Sequence, residues 1–205
     1  MFTLEQFIQH TIQRGGSINT MFEERLFARV GTLDRIATPL AACQIPYELI
    51  GDAAVMVQVQ RVEPSAVRNT KDIDIMIHRA DLDRIKDVAA LHGFTFRHAA
   101  GVDMLLPPGE TKAMNAVHLI YAGEKVRATQ ATVNPPVRPD FLSVHGVQVA
   151  VIPVSDLVQM KLSNNRDIDR VHVRDPDSVG LITPAIEGML PDILQERLRG
   201  IRATE

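Results

Sequence analysis

The chain has 205 residues, 45% hydrophobic and 23% charged, with a formal net charge of −3 and a single cysteine, Cys43. That length buries a full core without cross-links, and a lone thiol excludes both a disulfide framework and a cysteine-based zinc site. The slight acidity argues against a protein that coats DNA by neutralising phosphates, and 4% aromatics with no Trp argues against a base-stacking platform for single strands.

The opening residues are interrupted by Glu5, Gln6, Gln9, His10 and Gln13, so they do not read as a signal peptide, and no 18-residue apolar run follows. A soluble, cytoplasmic protein is the expectation, with no membrane contact. Phe2, Leu4, Phe7, Ile8 and Ile12 predict a helix over 2–13, ended by Gly15 and Gly16. Phe22, Leu26, Val30, Leu33, Ile36 and Leu40 predict another over 19–42, with Pro39 as a kink or restart.

From Pro46 the period shortens. Residues 47–50 predict a strand stopped by Gly51, and the small residues from Ala53 begin a helix. A turn at Glu63-Pro64-Ser65 leads to a second strand over 70–77. Residues 81–92 predict a helix stopped by Gly93, and 94–97, 102–106 and 116–121 predict three strands. Residues 131–140, with Pro135, Pro136 and Pro139, predict an irregular connection. A strand over 147–152 follows, then a helix capped by Ser155, and a final helix over about 183–200. The expected fold class is α/β (α+β), a mixed sheet core over 46–182. A helical extension at 1–45 and a C-terminal helix within 183–205 would pack on it.

Asp72-Ile73-Asp74 is the most informative stretch. On a strand, residues two apart share a face, so both carboxylates project together while Ile73 enters the core. Such a pair suits magnesium, which prefers oxygen ligands and keeps bound water or phosphate oxygens. The triplet alone is weak evidence. With 15 aspartates in the chain, roughly 0.4 Asp-aliphatic-Asp triplets arise by chance. The two others, at Asp81-Leu82-Asp83 and Asp167-Ile168-Asp169, fall in predicted helices, where positions two apart diverge. Upstream, Ile50-Gly51-Asp52-Ala53-Ala54 is a strand turning at a glycine into a helix, where backbone N–H groups and the helix dipole favour a phosphate.

Ile50-Gly51-x-Ala53-Ala54, followed by Arg68-x-Thr70-Lys71-Asp72-Ile73-Asp74-Ile75, resembles the minimal nucleotidyltransferase superfamily, and more narrowly the AbiEii-type proteins of toxin–antitoxin and phage-defence systems. Ser155-Asp156-Leu157-Val158-x-x-Lys161-Leu162, then Arg166, Asp167 and Asp169, fits the tail of the same motif set. The resemblance implies a nucleotidyltransferase-like fold. It also implies transfer of a nucleoside monophosphate from an NTP to an acceptor hydroxyl, with two magnesium ions. Asp72 and Asp74 would be the metal ligands, with Gly51, Asp52, Thr70, Lys71 and Lys161 around the nucleotide. The acceptor stays open among tRNA, a protein and a small molecule, as does a cognate toxin–antitoxin partner.

Two positions depart from the family pattern. Asp52 stands where a glycine or serine is usual, either to help bind metal or to repel a triphosphate. His118 stands on the strand that carries a third carboxylate in many members, which opens an alternative: a catalytically degenerate binding or regulatory protein. A third reading, a metallohydrolase, would use His118, His78 and Asp74. Blander readings attach to the other candidates: a snorkelling chain for Lys161, an exposed strand end for His78 and a solvated face for Asp169, His172 and Asp175.

Overall fold

A computed structural model describes residues 31–63, 72–144 and 147–204. The helix expected over 2–13, the start of that over 19–42, most of the turn at 63–65, and Arg68, Thr70 and Lys71 lie outside the described residues. Residues 31–42 are helical (α1) and lead into β1 (Tyr47–Ile50), α2 (Gly51–Gln60), β2 (Ile73–Ile77) and α3 (Leu82–Leu91). β3 (Thr95–Ala99), β4 (Val102–Leu106) and β5 (Val117–Tyr121) follow, and after a long connection come β6 (Asp140–Val144) and β7 (Val147–Val151). Four helices close the chain: α4 (Val154–Asn164), α5 (Asp167–Ser178), α6 (Pro184–Met189) and α7 (Asp192–Arg202).

The seven strands form one mixed sheet in the order β3-β4-β5-β2-β1-β7-β6. β1 runs antiparallel to β2 and parallel to β7, while β2 and β5 are parallel. The registers Ile50↔Asp74 and Asp74↔His118 set these three residues side by side on one face. Glu48 and Ile120, each two positions along, share that face. The opposite face carries Leu49, Ile75 and Leu119. These belong to the main core together with Ile36 and Leu40 of α1 and Ile85 and Ala89 of α3.

A second, smaller core joins Val154, Val158 and Leu162 of α4 to Val173 of α5 and Leu194, Leu198 and Ile201 of α7. Leu157 and Met160, on the other side of α4, belong to the main core. This one amphipathic helix therefore ties the two together.

Three local expectations need correction. Residues 140–144 form an unexpected strand, because Asp140 pairs with Val151 as soon as the proline run ends. The helix expected over 183–200 is two helices, since Pro191 lacks a backbone N–H and holds Leu190 extended (φ −72°, ψ 141°). α4 is capped by extended Pro153, whose carbonyl accepts from the Asp156 and Leu157 amides, so Ser155 lies inside the helix.

Candidate active site

β1 ends against α2 at Gly51, whose φ of +72° is the left-handed conformation that glycine tolerates. Space adds a second requirement. A Cβ at Gly51 would run into Asp74 Oδ2 and lie 3.3 Å from Asp74 Cγ, so the carboxylate packs directly on the turn. Asp74 Oδ1 meets His118 Nδ1 at 3.0 Å, while His118 Nε2 faces the Ala113 carbonyl at 3.3 Å. Both ring nitrogens thus face acceptors, an arrangement the doubly protonated ring satisfies. The Asp74 hydrogen bond raises the His118 pKa despite partial burial. Asp72 is exposed immediately before β2, near enough for its charge to push the same way.

Asp52, in the first turn of α2, faces the helix pair α4–α5. Its Oδ1 accepts from Lys161 Nζ at 2.9 Å and lies 3.0 Å from His172 Nδ1, and Lys161 Nζ also lies 3.0 Å from His172 Nδ1. Burial works to raise the Asp52 pKa, but hydrogen bonds and charge from His172 and Lys161 outweigh it and hold the carboxyl well below the usual range. Lys161 is only 6% exposed and reaches Asp169 Oδ1 at 3.7 Å. Asp169 is fully buried and accepts from Arg166 Nε at 2.6 Å, Arg166 Nη2 at 3.0 Å and the Arg166 amide at 3.2 Å, closing the start of α5.

These groups line a cleft of about 170 Å³, with Ile50, Gly51, Asp52, Asp74 and Ile120 on the sheet side and Leu157, Met160, Lys161, Asn164, Arg166 and Asp169 on the helix side. Val126 and Arg127, from the β5–β6 connection, complete it. Of the residues singled out in the sequence, Gly51, Asp52, Asp74 and Lys161 meet in this cleft, with His118 against Asp74.

The solvated-face reading of α5 is overturned for two of its three residues. Asp169 and His172 are buried because α5 packs on α4 and α2. The Asp-x-x-His spacing was the available signal, one helical turn placing both on one side. Lys161 is likewise no snorkelling chain, since its ammonium is buried among ion partners. His78, just past the end of β2, does not join His118 and Asp74. Among the described residues no group of three His, Cys, Asp or Glu side chains is arranged to hold a metal.

No family model matches the chain, and no curated protein is significantly similar to it in sequence. Solved structures do match. The antibiotic-resistance factor ANT(2'')-Ia in solution superposes with a TM-score of 0.56 at 11% identity, over 87% of this chain and 93% of that one. ANT(2'')-Ia in complex with adenylyl-2''-tobramycin gives 0.52 at 10% identity, over 86% and 98%. An antigenic nucleotidyltransferase-like protein from Paracoccidioides brasiliensis gives 0.57 at 17% identity, over 89% of each. The fold is nucleotidyltransferase-like. At these identities the likeness concerns the fold, and the narrower AbiEii-type assignment is not carried by it. Among the described residues no helix is long and apolar enough to cross a membrane.

Proposed function

We propose that the protein is a magnesium-dependent nucleotidyltransferase that moves a nucleoside monophosphate from an NTP to an acceptor hydroxyl. The observation that carries this reading is the packing of Asp74 on the positive-φ turn at Gly51, in a cleft whose other wall presents Lys161 and Arg166. A carboxylate for a cation, a glycine turn for phosphate approach and helix-borne cations thereby share one cleft.

The donor set fits magnesium. Asp74 is 30% exposed and lines the cleft, and Asp72 stands two positions earlier, immediately before β2, so the ion would be held by hard oxygen ligands and completed by phosphate oxygens and water. When bound, magnesium supplies charge neutralisation for the attacking and leaving oxygens. The chain's own part is positional. Gly51 lets phosphate oxygens approach the start of α2, whose free amides favour an anion. Lys161, held by Asp52 and Asp169, presents its charge in a fixed place. Ile50, Leu157 and Met160 supply apolar wall that limits water.

Calorimetric titration with each of the four NTPs, with and without magnesium, tests the proposal. Magnesium-dependent binding that Asp72→Asn/Asp74→Asn abolishes is the expected result. Absence of binding by all four NTPs would overturn it.

Two observations favour a second reading, a degenerate relative that binds a protein partner in a toxin–antitoxin-type system. His118 occupies the position beside Asp74 where a further carboxylate would serve, and Asp52 engages Lys161. Nucleotide binding without transfer to any acceptor, together with a stable complex with a co-expressed partner, is the outcome that reading requires.

A further inference from the structure

Three cationic residues line the cleft: Lys161, Arg166 and Arg127. Lys161 is matched by Asp52 and Asp169, and Arg166 grips Asp169 through two nitrogens. Arg127 is different. It is exposed, and among the described residues its guanidinium has no hydrogen bond or ion pair. Taking the lining charges together, the pairs on α2, α4 and α5 cancel. What remains is Asp74 on the sheet and Arg127 on the connection, a cation-holding group and a free anion-binding group facing one cleft.

The placement of Arg127 is built rather than incidental. Two buried amide side chains, Gln130 and Asn134, each 3% exposed, hold the connection from inside. Gln130 Oε1 accepts from the Val126 amide and, at 3.0 Å, from the Arg127 amide; the Gln130 amide donates back to the Arg127 carbonyl at 3.1 Å. Asn134 Nδ2 donates to the Tyr121 carbonyl at 3.0 Å, and the Asn134 amide donates to the Glu124 carbonyl at 2.9 Å. Ser163 of α4 anchors the far end, its carbonyl accepting from the Ala131 amide and its Oγ from the Thr132 amide at 2.9 Å. A surface loop rarely buries two amide side chains, and here they fix the backbone of the very residues that line the cleft. That is the preorganisation a ligand-gripping side chain needs.

We infer that Arg127 adds a further grip on the phosphate chain of the nucleotide, its planar fork matching phosphate oxygens, and that it selects triphosphates over monophosphates. The inference rests on the nucleotidyltransferase reading, since it takes an NTP as the ligand of this cleft.

The test is calorimetry on the full chain with magnesium, titrating the four NTPs and the corresponding NMPs into wild type, Arg127→Ala and Arg127→Lys. The expected result is that Arg127→Ala weakens the preferred NTP at least ~10-fold and its NMP less than about 2-fold, with Arg127→Lys between. The thermal midpoint of Arg127→Ala should stay at the wild-type value, because among the described residues the side chain has no partner. NTP affinity unchanged in Arg127→Ala, or equal losses for NTP and NMP, would overturn the assignment while leaving the nucleotidyltransferase reading intact. A wild type that binds no NTP would overturn both, a distinguishable failure because it appears before any variant is made.

Discussion

Gly51 and Asp74 were legible in the sequence because each obeys a local rule: a glycine where a strand turns into a helix, and an acid alternating with isoleucines. Glu48 obeyed no such rule. It reads as the polar member of a short strand, yet it is fully buried in the middle of the sheet. Its Oε2 accepts from the Arg138 amide at 3.0 Å while Oε1 has no hydrogen-bond partner among the described residues, and the Arg138 guanidinium is taken by Asp156 through two contacts of 2.6 Å. Burial above all, with the charges of Asp156 and Asp140, outweighs the Arg138 amide and guanidinium and leaves Glu48 pushed up to about 7. Its folded pKa thus lies above the ordinary 4.5, so between those values the unfolded chain holds fewer protons and stability falls as pH rises. Urea midpoints should therefore decline from pH 5 to pH 8 by up to about 3 kcal/mol of unfolding free energy, and Glu48→Gln should remove that slope. A pH-independent difference between the two proteins would contradict the account.

At the scale of elements, periodicity located β1, β2, α3, β4, β5, β7 and α4, each with an apolar repeat matched to its geometry. It was silent on the connection between β5 and β6, whose order comes from side-chain amides rather than from any repeat. Prolines there marked the absence of regular structure correctly, but Gln130 and Asn134 make the segment ordered all the same. Asn134→Ala should leave the buried Tyr121 carbonyl without its donor and lower stability by about 1–3 kcal/mol. Amide hydrogen exchange over residues 123–131 should accelerate more than that over β2 or β5. Uniform acceleration would show that the connection is not held as a local unit. α5 is harder to read: its polar composition resembles a solvated face, and the Asp169-x-x-His172 spacing puts those two on one side without saying what that side meets.

For the molecule as a whole, the two cores communicate through α4, which gives Leu157 and Met160 to one and Val158 and Leu162 to the other. The sheet and its flanking helices followed from alternation and length. The helical core did not, because it depends on α5 and α7 finding α4 in space. Leu198 is fully buried at its centre, and Leu198→Ala should cost about 2–5 kcal/mol. If α4 makes the two cores one unit, urea unfolding of this variant remains a single transition shifted to lower denaturant when followed by circular dichroism and by a probe on Cys43, the single thiol and an exposed one. Two separated transitions would show that the C-terminal helices unfold on their own.

The place of β1 in the sheet has a consequence for synthesis. Its neighbour on one side, β2, follows closely in the chain, but β7 on the other side arrives only at Val147–Val151. At translation speeds of roughly 5–20 residues per second, the edge of β1 waits several seconds on the ribosome with its backbone groups unpaired. An edge of that kind invites strand addition by another nascent chain. Lys161 and Asp52 are 109 positions apart, so the cleft closes later still, once α4 has emerged. Any ligand of this cleft can therefore stabilise the chain only after its most aggregation-prone interval has passed.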